Sequence, residues 1–196
     1  MKITRLLLIC AAIIISGSTF GQKMKVQSGN LSSLKGIKKI KIVYDYSDLS
    51  VGKFDDEADY IAKRVSEMND KEAGTGDTWK ENWIKDREAR YEPKFEELFS
   101  KYTEPIESGK DIESEVVMNV HTIFIEPGFN VGVSRRPSLI NLVVTFTKSE
   151  EQLVVIAIDK CPGSDVMGAD FDTSWRISEA YAKAGKSLGK YLMKYL

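Results

Sequence analysis

Histidine and cysteine are nearly missing from this chain, with one His and two Cys in 196 residues. Any Ser/His/Asp or Cys/His catalytic arrangement would have to use His121. His121 and Cys161 could not complete a tetrahedral zinc site without two carboxylates. The sequence reading therefore expects no resident metal and no cofactor, and places no serine on a strand-to-helix nucleophile elbow. Charge of one sign is also missing: 28 Lys and Arg stand against 29 Asp and Glu. That balance offers no general basic surface for nucleic acid or an anionic membrane.

Long apolar runs are lacking too. The run Leu6 to Ile15 is too short for a membrane-spanning helix, which needs roughly 20 apolar residues. With Lys2 and Arg5 before it and the small residues Thr19 and Gly21 after it, residues 1–21 read as a secretory signal cut before Gln22. No integral membrane segment is expected once it is removed. A lipid anchor at Cys10 is not expected, because only Leu6 to Ile9 precede it and no small residue stands before the cysteine. The mature chain then keeps Cys161 alone, so its fold cannot depend on an internal disulfide. The "DKCPG" setting reads as an ordinary half-buried thiol.

What is present reads as one α/β domain over 37–196, preceded by a polar, Gly/Ser/Lys-rich stretch at 22–36 expected to be a flexible arm. Ile40, Ile42 and Tyr44 alternate with Lys39, Lys41 and Val43, the period of a half-buried strand. From Asp55 the period becomes helical through Ala58, Ile61, Val65 and Met68. A second helical stretch from about Thr78 carries Trp79 and Trp83 on one face, and Pro93 should kink or restart it. Three strands follow. The first puts Val116, Met118, Val120 and Phe124 on one side and Asn119 and His121 on the other. The second puts Ile140, Leu142, Val144 and Phe146 opposite Asn141, Thr145 and Thr147. The third, "QLVVIAIDK", is apolar on both sides, and its short "KSEE" connection makes the last two an antiparallel pair.

The chain closes in an amphipathic helix with a stripe from Ile177 to Tyr195, capped by Asp172 or Thr173. Gly185 and Gly189 lie near that stripe, where they would let another backbone come close. The expected order is β-α-α-β-β-β-α, a two-layer α/β sandwich with one mixed, mainly antiparallel sheet of about four strands and helices on one face. The other face would then be polar and open.

The acidic residues Asp159, Asp165, Asp170 and Asp172 lack the alternating spacing of a calcium loop. The connection "PGFNVGVSRRPS", residues 127–138, lacks GxGxxG and GK[ST] and leads into a strand, which argues against a phosphate cradle. It is long for a hairpin. Phe129, Val131 and Val133 alternate, so the strands should extend into an arm with Arg135 and Arg136 near its far end. Such an arm could add a strand to a partner or grip an anionic group.

The exported start ending "FGQ", the "PGFNVG…RRP" hairpin and the closing "FDTSWRISEAYAKAGKSLGKYL" resemble small exported proteins of Bacteroidota-type bacteria. That resemblance implies an envelope location, periplasmic or secreted, and no particular activity. The element order is also similar to periplasmic α/β modules of envelope-assembly systems, such as those of the curli secretion channel and the Tol translocation protein; it supplies no site residues. Two functions follow as expectations. One is a non-catalytic binding or assembly module that meets an envelope protein partner through Phe129, Asn130, Arg135 and Arg136. The other is a small-ligand site or enzyme on the polar sheet face around Asn119, His121 and Asn141.

Overall fold

The computed structural model describes residues 22–130, 134–163 and 172–196. The expected signal lies outside the described residues, as do Val131, Val133, Asp165 and Asp170.

The first element is β1 (Lys23–Gly29), antiparallel to the ninth strand with Met24 opposite Ile158 and Val26 opposite Ile156. The expectation of a flexible arm over 22–36 is thereby corrected. Met24 and Val26 are too few to announce a strand, and what orders them is a partner far along the chain. A 3-10 turn (Leu31–Leu34) follows, its start capped by Asn30, and both leucines are buried in the core.

Next come β2 (Lys39–Asp45), the two-residue β3 (Ser50–Val51) and α1 (Glu57–Asn69), whose N-cap Asp56 accepts from the Ala58 amide at 2.6 Å. Then α2 (Thr75–Asp86) runs through a π-helical turn (Arg87–Tyr91) into α3 (Glu92–Thr103). Pro93 sits in the first turn of α3, directly after the π-helical turn, where the hydrogen-bond pattern of the helix changes.

The remaining strands are β4 (Glu107–Gly109), β5 (Val116–Glu126), β6 (Phe129–Asn130), β7 (Arg135–Arg136), β8 (Leu139–Lys148) and β9 (Glu151–Pro162), before α4 (Thr173–Leu192). The main sheet has seven strands in the order β1-β9-β8-β5-β2-β4, with β3 also paired to β5, instead of about four. Strands of two or three residues are below what periodicity can show, which accounts for β3 and β4. The sheet is mixed: β5 is parallel to β2 and β3 on one side and antiparallel to β8 on the other.

A bulge between Thr122 and Phe124 shifts the phase of β5. Phe124 is therefore half exposed and Ile125 takes the core position, correcting the expected placement of Phe124.

The core gathers Ile40, Ile42, Met118, Val120, Leu142 and Val144 from the sheet with Phe95, Phe99, Tyr181 and Leu188 from α3 and α4. Gly185 allows these two helices to meet closely: a Cβ there would lie 2.3 Å from the Phe95 carbonyl oxygen. Asp172, and not Thr173, caps α4, accepting from the Ser174 amide at 2.9 Å. Cys161 is fully buried and donates to the Ala180 carbonyl at 3.2 Å. Among the described residues no helix is long and apolar enough to cross a membrane.

Candidate functional site

Strands β3 and β5 run parallel and end together, Val51 opposite Ile125. In open α/β sheets the space beyond the carboxyl ends of parallel strands is where ligands gather, because loops diverge there. Here two loops leave that end. A tight turn from Val51 to Phe54, closed by reciprocal backbone hydrogen bonds of 2.9 Å, holds exposed Lys53 at its tip. Glu126 closes β5 and leads through Pro127 and Gly128 into the β6–β7 hairpin.

Glu126 organises the base of that hairpin. One carboxylate oxygen accepts from the Gly128 amide at 3.1 Å and the other from Arg136 Nη1 at 2.9 Å. Gly128 has φ +67°, and a Cβ there would stand 2.4 Å from the Arg136 carbonyl oxygen, so only glycine fits. From below, buried Arg176 donates from Nη2 to Thr173 Oγ1 at 3.0 Å and to the Pro127 carbonyl at 3.4 Å. Ser138 Oγ donates to the Arg176 carbonyl at 2.8 Å.

Between the turn, the hairpin and the inner side of α1 lies a cleft of about 480 Å³. Its cations are Lys53, Arg64, Arg136 and Arg176, and its carboxylate is Glu126. Phe54 and Tyr60, which meet edge to face at 5.8 Å, and exposed Phe129 supply its aromatic lining. Lys53, Phe54, Tyr60, Arg64, Glu126 and Arg176 were not singled out from the sequence. The signals were a turn residue pair, Gly52-Lys53, after a strand and a lone acid before Pro127.

Of the expected docking residues, Phe129 pairs with Arg136 and Asn130 with Arg135 across the hairpin. Arg135 is exposed and, among the described residues, has no ion-pair partner. Arg136 is different: it is tied to Glu126.

Two of the three sheet-face residues, His121 and Asn141, are already engaged. Asn119 and His121 are neighbours on β5, with Asn141 on β8 one strand away, opposite Phe124. The His121 Nε2–H donates to the Ser47 carbonyl at 2.6 Å, holding the loop after β2 against β5. Asn141 Oδ1 accepts from the Lys160 amide at 2.8 Å. Buried Asn119 Oδ1 has no hydrogen-bond partner among the described residues. Five clefts of about 480–660 Å³ among the described residues are lined by other residues than these three.

A second polar cleft, of about 660 Å³, lies over Tyr44, Tyr46, Arg87 and Glu92. The Tyr46 hydroxyl donates to Glu92 Oε1 at 3.4 Å and that of Tyr44 to the Glu92 carbonyl at 3.1 Å. Burial pushes the carboxyls of Glu92 and Glu96 above their ordinary range and the hydroxyls of Tyr44 and Tyr46 well above theirs. These upward shifts disfavour the charged form of each group, the opposite of what an activated nucleophile needs.

Cys161 is no nucleophile either, since burial raises its thiol to about 12. Gly185-Lys186-Ser187-Leu188-Gly189 matches the spacing of a nucleophile elbow. It lies inside α4 instead of at a strand-to-helix turn, and Ser187 Oγ donates to Gln22 Oε1 at 2.9 Å. Among the described residues no group of three His, Cys, Asp or Glu is placed to hold a metal. Comparison with protein-family models, curated proteins and solved structures gave no match to this chain.

Proposed function

We propose that the protein is an exported, non-catalytic binding or assembly module of the bacterial envelope that meets a protein partner through the β6–β7 hairpin. In this reading residues 1–21 are a removed signal and the mature chain is periplasmic or secreted, without a lipid anchor. The observation that carries it is the hairpin's construction. Its base is fixed by Glu126, Arg176 and Ser138, while Phe129 stays 43% exposed and Arg135 faces solvent. An exposed aromatic beside an exposed arginine on a fixed base is the composition from which interface anchors are made. The alternative site around His121 has less support, because its ring nitrogen already donates to the Ser47 carbonyl.

A photo-crosslinking residue in place of Phe129 tests the reading in the native envelope. The expected result is one specific adduct, lost on adding Arg135→Ala, with Arg136 kept because it holds the base. An adduct pattern indifferent to Arg135→Ala, or no adduct, would sink the proposal.

A further inference from the structure

We infer that the face of the main sheet turned away from the core is where two copies of this chain meet, sheet against sheet. The contact is separate from the hairpin and goes beyond the function proposed for it. Its ground is a set of apolar side chains that the core leaves out. Val43, Val117, Val143, Val155 and Ala157 alternate with core residues along β2, β5, β8 and β9 and stand outside the core cluster. Val43 is 41% exposed. A sheet face that meets only water usually carries polar side chains at such positions, and a contiguous apolar patch marks a surface that is covered by a partner.

The strand registers line these residues up in rows. One row runs from Asp45 on β2 through His121, Val143 and Ala157 to Lys25 on β1. The next holds Val43, Asn119, Thr145, Val155 and Ser28. The first row thus has an acid at one edge, a base at the other and apolar side chains at its middle. Neither end is spent within the chain. Asp45 Oδ1 accepts from the Ser47 amide at 2.8 Å, while Oδ2 lies 3.9 Å from His121 Nε2, beyond hydrogen-bond reach. Lys25 is exposed and has no ion-pair partner among the described residues.

These two charges fit a second copy and set its orientation. A two-fold axis lying between the sheets and along β8 places β2 of one copy over β1 of the other, and β5 over β9. Asp45 of each copy then faces Lys25 of the other, and Val143, on the axis, meets its own counterpart. An axis laid along the row would set Asp45 against Asp45 and Lys25 against Lys25, so charge selects the first arrangement. Five strands about 4.8 Å apart, each used over about seven residues, make a face of roughly 24 Å by 24 Å. Two copies would bury about 1,100 Å², just above the roughly 1,000 Å² that a specific contact needs, so the dimer is expected to be reversible.

Sedimentation equilibrium of the full chain tests this. A concentration-dependent dimer and no larger species is expected, because a two-fold contact closes on itself. Val143→Lys sets two like charges against each other on the axis and should weaken the dimer about a hundredfold or more. If circular dichroism shows that this variant fails to fold, the sheet edges carry the test: Lys25→Asp should weaken the dimer about tenfold, and adding Asp45→Lys should restore it. A monomer at every concentration, a dimer indifferent to a folded Val143→Lys, or no rescue by the charge swap would overturn the inference. Crosslinking at position 129 reports on the hairpin alone, so either reading can fail without the other.

Discussion

Helices α1 and α4 look alike as sequence patterns, since both carry an apolar stripe at helical spacing and an Asp N-cap. They are used differently. From α4, Ile177, Ala180, Tyr181, Ala184, Leu188 and Leu192 all enter the core, whereas α1 has no buried residue. The inner side of α1 offers Tyr60 and Arg64 to the cleft. One helix closes the hydrophobic layer and the other forms a wall of the cleft beside the hairpin. Amphipathicity tells which side of a helix turns inward, and what that side meets decides between stability and binding.

The largest effect that would sharpen this contrast comes from paired truncations. Phe99→Ala, which empties a fully buried ring site against α4, should cost about 3–5 kcal/mol in urea unfolding. Met68→Ala, on the half-exposed side of α1, should cost about 1 kcal/mol. Equal costs would break the distinction between the two helices. A smaller effect is expected at the close approach of α3 and α4. Gly185→Ala gains helix propensity but drives a methyl into the Phe95 carbonyl, for a net loss of about 1–3 kcal/mol; a rise in melting temperature would show that the helices separate freely.

The smallest effect concerns pH. Burial raises Glu92 in the folded state, so the folded chain holds more protons than the unfolded one above the ordinary carboxylate range, and this group's contribution to stability falls as pH rises through that window. Glu92→Gln should therefore raise the melting temperature relative to the parent more at pH 7 than at pH 4. A difference independent of pH would show that Glu92 ionises freely when folded.

Long, regular elements were legible in the sequence because each carries its own pattern. Strands β5 and β8 show their faces up to Thr122, and α4 shows its stripe, its cap region and the helix-facing role of Gly185. The pattern fails where a partner, not local composition, creates the element. Ser50–Val51 is a strand only because β5 lies beside it, and Met24 and Val26 only because β9 does. The hairpin was visible as an unusually long connection. The cleft beneath it was not, since Lys53, Arg64, Arg136 and Arg176 come from four separate segments and each alone reads as a solvated charge.

The pairing of β1 with β9 has a kinetic side. Among the described strands of the main sheet, the first in chain order pairs with the last, so it must wait while the strands between them are made. Closing so large a loop makes the edge a late, slow event, since its entropy is lost before the contact rewards it. Until β9 arrives, Met24 and Val26 have no surface to cover, and Lys23 and Lys25 are what keep the waiting strand from pairing with another chain. A growing chain thus keeps this edge of the sheet open until β9 has been made.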